Sequence, residues 1–297
     1  MTHEGLYVKP YTTVLTDLHV HTDYSDGSRS PDEVIELAHS IGIRYLALTD
    51  HDTTLWFSES GMAFQSKAKS LGISLIRGVE ISTRDYKTGK KAHILGYWPW
   101  CEPFVPAHLD PLCRIIQERR TQASYCQIAV LQSLGYSITA DEVRANSRTD
   151  QIFKHNILKT MQNRSFIPEA MGDFYRLHFK KGGDCFFPIQ YLDAQEVVAA
   201  IRADKGIAVL AHPGEQNNLE LIPSLMEAGL SGIEYLHPSH SEILSSLAAA
   251  EAEKYGLLKT GGSDYHGAYY PSRILGSRSL PAEDVTALKQ VGLLGPM

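Results

Sequence analysis

The sequence predicts an α/β fold, with its strands gathered into a barrel and a helical segment inserted between two of them. Three observations lead there. Short β-rich runs alternate with helical segments. Start and stop signals for helices fall between the runs. Ionisable residues cluster where the runs end, which is where α/β barrels carry their reactive groups. The candidate strands are residues 14–18, 45–48, 74–79, 92–97, 207–211, 232–236 and 258–261. Such alternation implies parallel strands joined by crossover helices. Seven runs favour a barrel, although periodicity alone does not separate a barrel from an open sheet.

The first crossover helix is well signalled. Ser30 can cap it, Pro31 occupies its first position and Glu33 completes a capping box. Val34, Ile35, Ala38 and Ile41 line one face before Gly42 stops it. Residues 102–185 then interrupt the alternation. They carry helical periodicity at Ile115, Ile116 and Arg119 and again at Ile128, Leu131 and Leu134, a polar link over residues 135–141, and further helical stretches near 156–162 and 169–177. The expected organisation is therefore a barrel built from residues 1–101 and 186–297, with 102–185 as a helical subdomain capping the active site. Asp193 and Glu196 repeat the start signal before Val197, Val198 and Ile201, and a helix over 241–255 ends at Gly256.

Composition narrows the function. A net charge of −6 offers no broad basic surface for long nucleic acids, whereas a small anionic substrate remains compatible with a metal that supplies local positive charge. Cys101, Cys113, Cys126 and Cys185 show no C-x-x-C spacing, which disfavours a zinc ribbon or redox pair and fits reduced thiols in a cytoplasmic protein. No run approaches the roughly 20 apolar residues of a membrane span, and residues 1–11 lack a cleavable apolar core. Oligomeric state is not readable.

The chemistry lies at the strand ends. His19 and His21 are two apart, so on a strand both imidazoles point the same way, and Asp26 follows in a Ser-Asp-Gly turn. Asp50, His51 and Asp52 close the second run, Glu80 ends the third, and His93 lies in the fourth. His212 follows the fifth, His237 and His240 the sixth, and Asp264 and His266 repeat the two-residue spacing after the seventh. A lone strand histidine is more often a hydrogen-bonded rim residue than a ligand. Repetition reverses that weighting, because burying so many ionisable groups is costly without a metal. Mixed imidazole and carboxylate donors favour zinc, manganese or iron over calcium. His3, His39, His108 and His178 have no partner at metal spacing and read as surface or loop residues. Tyr97, Trp98 and Trp100 read as packing at the base of the insertion.

The phrases DLHVHT…SDG, TDHDT, GVEIS, AHILGY, AHPG and GGSDYHG, in that order, resemble the PHP family, named for polymerase and histidinol phosphatase domains. ERR and FKHNI resemble its branch of nucleoside 3′,5′-bisphosphate phosphatases and short-RNA 5′-exonucleases. The resemblance implies a distorted (β/α)7 barrel with three divalent ions, manganese foremost and iron or zinc as alternatives. By the same resemblance His19, His21, Glu80 and Asp264 would hold one ion; Glu80, His93 and His212 a second; and Asp26, His51 and His266 a third. A hydroxide held between two ions would attack the phosphorus of a small phosphorylated metabolite: an AMP-like nucleotide, a nucleoside bisphosphate, or a cyclic or sugar phosphate. Lys154 and His155 would bind phosphate, as would His240. Arg119 and Arg120, in the insertion's first helix, either reach a second phosphate or lie on a solvated face. His237 is either a substrate contact or a rim residue, and Arg273 is a further phosphate partner. Asp17, Asp50 and Asp52 are read as acceptors orienting imidazoles, with a structural turn role equally open for the last two. Two departures stand out. Glu215-Gln216 replaces the branch's Arg-Tyr after AHPG, and Ile152-Phe153-Lys154-His155 replaces Gly-Arg-Pro-His, so recognition of a doubly phosphorylated substrate is expected to differ. The competing readings are an amidohydrolase-type hydrolase and a noncatalytic domain that binds phosphorylated ligands.

Overall fold

The structure is a computed structural model that describes residues 15–99 and 104–295. His3, Val14, Trp100 and Cys101, which figure in the expectations above, lie outside those residues. Along the chain, β1 (Leu15–Val20), α1 (Pro31–Ser40), β2 (Ile43–Leu48), α2 (Met62–Ser70), β3 (Ser74–Arg84) and β4 (Lys91–Trp98) come first. Four helices follow: α3 (Leu109–Ser133), α4 (Ala140–Arg144), α5 (Lys154–Asn163) and α6 (Asp173–His178). The chain then returns through β5 (Leu192–Asp193), α7 (Ala194–Ala203), β6 (Ile207–Leu210), α8 (Pro213–Gln216), α9 (Ile222–Ala228), β7 (Gly232–Leu236), α10 (Glu242–Tyr255), β8 (Leu258–Gly261) and α11 (Ala282–Gln290).

The sheet runs β1-β2-β3-β4-β6-β7-β8, with the short β5 pairing the far end of β3. It curls into a distorted barrel, whose seam between β1 and β8 carries no strand ladder among the described residues and is crossed by an isolated parallel bridge, Val20 with Tyr265, and by the hydrogen bonds of Asp17 to Ser263. Gly262 is what allows that approach, since a Cβ there would lie 2.4 Å from the His19 backbone nitrogen. The expectation of uniformly parallel strands is corrected at β4, which is antiparallel to both β3 and β6. No helix joins β3 to β4. A tight turn does, held by the Asp85 side chain accepting from Thr88 N and by Gly89 at φ +74°.

Most strands are buried on both faces, as parallel barrel strands must be. On β2 the alternation divides the residues between two cores. Tyr45 and Ala47 point inward to meet Leu18, Leu95, Tyr97 and Val209, and α11 plugs that interior with Val285 and Leu288. Leu46 and Leu48 point outward, towards the helices, with Val34 and Ile35 of α1. Helix α1 forms as its signals predict: Ser30 and Glu33 make a reciprocal capping box. The helices between β4 and β5 have an apolar cluster of their own, including Leu131, Ile157, Met161 and Phe179. Helix α3 spans the join, since its first half (Leu109, Cys113, Ile116) packs on the barrel core and its second half on the insertion's. Among the described residues, no helix is long and apolar enough to cross a membrane.

Candidate metal centre

The side chains at the strand ends converge on one buried spot. Glu80 of β3 is its hub. Its Oε2 lies 3.1 Å from both His19 Nε2 and His21 Nε2 and 3.2 Å from His51 Nδ1. Its Oε1 lies 2.6 Å from His93 Nδ1 and 2.9 Å from His212 Nε2. Among the described residues five groups are compact enough to hold one cation, and three of them overlap on Glu80 and His21: His19, His21, Glu80 and Asp264; Glu80, His93 and His212; and His21, Asp26, His51 and His266. The other two are His19, His212 and Glu234, and Glu215, His237 and Asp264. All nine residues expected from the resemblance as ligands are brought together, and His21 joins the third set as well as the first.

The local folding explains how they meet. His19 and His21 share one face of the chain leaving β1, as period two requires. Asp52, His212 and Asp264 adopt positive φ (54°, 27° and 50°), a conformation that non-glycine residues rarely take. Each sits just past a strand end, where the backbone turns back over the centre. Such strain persists only where surrounding structure holds it.

Two features fit bound cations. Buried ring nitrogens of His21, His51 and His212 have no hydrogen-bond partner, an expensive arrangement unless something else satisfies them. His19 Nε2 and His21 Nε2 also face each other at 3.2 Å while sharing Glu80 Oε2, so their lone pairs point at a common volume.

Electrostatics tell the same story. Burial disfavours the charged forms of Glu80, Asp26 and Asp264, yet the neighbouring imidazoles hold all three carboxyls well below the usual range. His21 is likewise disfavoured by burial, but Asp264 and Glu80 outweigh that and lift it to about 10. At His51 burial wins over Glu80 and Asp26, and the ring is held well below its ordinary value. Protons balance the clustered carboxylates here, and a divalent ion can take their place.

The three aspartates support the site through backbone and hydroxyl groups rather than through imidazole rings. Asp17 accepts from Ser263 N, Ser263 Oγ and Gly276 N, tying β1 to the loop that carries Asp264, and burial pushes its carboxyl up to about 6. Asp50 accepts from Thr22 N, Thr22 Oγ1 and Ser25 Oγ, setting the loop that presents Asp26. Asp52 accepts from Ser82 N at 2.9 Å. The carboxylate that does orient an imidazole is Glu234, unassigned from sequence. It lies 3.0 Å from His19 Nδ1 and accepts from His212 N. Its only signal was an acid at the middle of the apolar run Gly-Ile-Glu-Tyr-Leu.

Several expected substrate contacts are engaged elsewhere. Arg120 is half-buried, with Nε 2.7 Å from Asp52 Oδ2 and Nη2 2.6 Å from Ser82 Oγ, so it braces the barrel against α3. Arg119 donates to the Gln190 carbonyl. His240 accepts from Gly214 N through Nε2 and donates from Nδ1 to the Tyr235 carbonyl, which holds the loop after His212. His237 packs against Asp264, 3.2 Å away, and Arg273 reaches Asp264 and, at 3.7 Å, Glu215. At the start of α5, His155 approaches the centre, whereas Lys154 donates to Tyr175 Oη. Both ring nitrogens of His155 lack a hydrogen-bond partner, and Nδ1 lies 3.6 Å from Asp26.

Comparison with known proteins agrees with this geometry. The model of the PHP domain family matches residues 17–202. A phosphoribosyl 1,2-cyclic phosphate 1,2-diphosphodiesterase of Eggerthella lenta is 37% identical over 86% of this chain and 95% of its own. A 3′,5′-nucleoside bisphosphate phosphatase of Chromobacterium violaceum is 30% identical over 84% and 86%. Among solved structures, a Bifidobacterium adolescentis protein assigned to the metal-dependent phosphoesterases superposes with a TM-score of 0.81 at 25% identity, covering 93% of this chain and 96% of that one. A Chromobacterium violaceum protein described as an amidohydrolase, with bound sulfate and no metal, gives 0.74 at 28%, covering 90% and 92%.

Proposed function

The chain belongs to the PHP domain family and is a metal-dependent phosphoesterase; from that premise we propose that it binds three divalent ions and hydrolyses a cyclic phosphate diester on a phosphorylated pentose. The observation that carries the phosphoesterase reading is the sharing of Glu80 and His21 among three compact donor sets. The first ion would be held by His19, His21, Glu80 and Asp264, the second by Glu80, His93 and His212, and the third by Asp26, His51 and His266, with His21 alongside. Manganese suits this oxygen- and nitrogen-rich donor set, with iron and zinc as alternatives. Bound there, the ions would neutralise charge on the phosphoryl oxygens and make a water acidic enough to attack near neutral pH.

The chain's own residues do the rest. Glu234 holds the His19 ring by its Nδ1 side, so that Nε2 is presented to the centre. Asp17 and Asp50 keep the loops bearing Asp264 and Asp26 in place. His155, its ring nitrogens unclaimed by protein, is the group placed to donate to a substrate oxygen beside Asp26.

The choice of a cyclic pentose phosphate over a nucleoside bisphosphate rests on the greater likeness to the Eggerthella relative and on one replacement. Glu215 stands where the bisphosphate branch has arginine, and it faces Arg273, so the mouth offers less free positive charge on that side. The test is hydrolysis by manganese-loaded protein, read by chromatography of the products, of 5-phosphoribosyl 1,2-cyclic phosphate, adenosine 3′,5′-bisphosphate, short 5′-phosphorylated oligonucleotides and a panel of amides. The cyclic sugar phosphate should give the highest kcat/KM. A higher value for the bisphosphate would overturn the substrate assignment, and turnover of amides alone would overturn the phosphoesterase reading.

A further inference from the structure

A cavity of about 580 Å³ opens on the outer side of the barrel, beside the seam. None of the nine metal-competent donors lines it. Its volume falls in the range of small-ligand sites, about 300–1,000 Å³. It lies between α1, α5 and the loop that follows β8. Leu37 and Ile41 of α1 form one wall, and Ile274 and Leu275 the other. No residue of α11 lines it, because that helix turns under the barrel, where Val285 and Leu288 fill the interior. The flank of α1 is thus left without the neighbouring helix that a regular barrel would set there. Ile41 stays 40% exposed and Ile274 64%. Aliphatic side chains left wet around a concave space favour an apolar occupant.

The charge around it is one-sided. Arg29, Lys159 and Arg273 line the cavity against a single acid, Glu33, whose carboxylate is engaged by Ser30 N and Oγ in the α1 capping box. Among the described residues, neither Arg29 nor Lys159 has a carboxylate within 4.0 Å. Arg29 hydrogen-bonds the Tyr265 hydroxyl, and the Lys159 ammonium group has no protein partner among the described residues. Apolar walls with uncompensated positive charge complement an organic anion better than a neutral chain or a bare inorganic ion. The cavity is also joined to the centre. Arg273, which lines it, reaches Asp264 of the first donor set and, at 3.7 Å, Glu215. Tyr265, held by Arg29, accepts from His21 N through its carbonyl at 2.9 Å. Ser28 Oγ accepts from Ala268 N at 2.7 Å and ties the same loop to the start of α1. An anion in the cavity competes with Asp264 for Arg273 and leaves that carboxylate freer to face a cation.

We propose that this cavity is a second ligand site, for a small organic anion with an apolar body, and that its occupation strengthens cation binding at Asp264 by drawing off Arg273. The site lies apart from the donors that would serve hydrolysis, so it makes the protein responsive to a compound that it does not turn over.

The test uses two probes that share an aromatic body and differ in one sulfonate, 8-anilinonaphthalene-1-sulfonate and the neutral N-phenyl-1-naphthylamine, with binding measured by equilibrium dialysis of the full chain. The sulfonate should bind one per chain and about tenfold more tightly than the neutral amine. Lys159→Ala should cut that preference several-fold, the size of one exposed charge contact. Ile274→Glu, at an exposed position that tolerates a polar side chain, should weaken sulfonate binding about tenfold by removing apolar contact and adding like charge. Ile243→Glu, at a 74% exposed apolar position on α10, should leave it unchanged. Manganese loading should tighten sulfonate binding several-fold, as reciprocal coupling requires, and the gain should vanish in Ile274→Glu. Equal affinity for the two probes, no loss in either cavity variant, or an equal loss in Ile243→Glu would overturn the site. An affinity indifferent to manganese, or a gain that persists in Ile274→Glu, would overturn its link to Asp264. None of these measurements involves turnover, so the substrate assignment stands or falls separately.

Discussion

Arg120→Met removes a guanidinium that ties α3 to the barrel, and its consequences can be worked from the contacts. The variant loses a 2.7 Å ion pair to Asp52 and a 2.6 Å hydrogen bond to Ser82 Oγ while keeping most of the side-chain volume. Asp52 is fully buried and retains only Ser82 N among its side-chain donors. Breaking one side of such a buried pair costs about 3–5 kcal/mol. Protonation of Asp52 limits the loss, so the effect must depend on pH. Burial already raises the Asp52 pKa, with Arg120 opposing it; without Arg120 the folded-state value rises further. A folded pKa above the unfolded one means the folded state binds the extra proton, so stability falls as pH rises between the two values. The deficit should therefore be small near pH 5 and should approach about 3 kcal/mol by pH 8. Urea denaturation of chelator-stripped protein at both pH values measures it through the midpoint. Arg120→Met combined with Asp52→Asn should recover most of the loss, because no charge is left stranded. A deficit under about 1 kcal/mol at pH 8, or one that does not grow with pH, would refute the view of Arg120 as a brace.

Four further outcomes follow from the site. Glu80→Gln should lower activity by at least about 100-fold and reduce the metal content read by elemental analysis, because the hub carboxylate serves two donor sets. Glu234→Gln should weaken metal affinity about 10–100-fold in a chelator competition while leaving the fold intact, since it keeps a hydrogen-bonding shape beside His19 but loses the charge. Chelation should abolish activity and lower the melting temperature, both restored by manganese; at 100 times the dissociation constant the bound ion contributes about 2.7 kcal/mol. Gly262→Ala should destabilise by about 3 kcal/mol or prevent folding, visible in expression yield and melting, because the new methyl meets the His19 backbone at 2.4 Å.

How much was legible depended on how local each signal was. The strand positions were readable because β2, β6 and the first half of β3 are short, largely apolar runs, and α1 because its cap and stop are written within a dozen residues. The reversal at β4 was not read, although the Asp85–Gly89 turn was its sign; alternation of strands and helices does not say which strand pairs lack a helix between them. Helices α2 and α11 escaped notice because each presents few apolar residues, and α11 matters only as a plug under Tyr45. In the candidate site, residue types at strand ends located the cluster well. The roles of Arg120, His240 and Glu234 depended on partners remote in sequence, at Asp52, Gly214 and His19, and such pairings leave no trace in local spacing.

The barrel's seam has a consequence for when the centre can form. His19 and His21 leave β1 near the start of the chain, while Asp264 and His266 follow β8 near its end, and between β1 and β8 the sheet carries no strand ladder among the described residues. A nascent chain emerging from the ribosome therefore holds the first two donors long before the last two exist. The donor sets that include Asp264 or His266 are incomplete until the residues after β8 have been made, whereas Glu80, His93 and His212 are all present earlier. An ion seated in the first of these sets, that of His19, His21, Glu80 and Asp264, would act as a clasp between the two edges of the sheet.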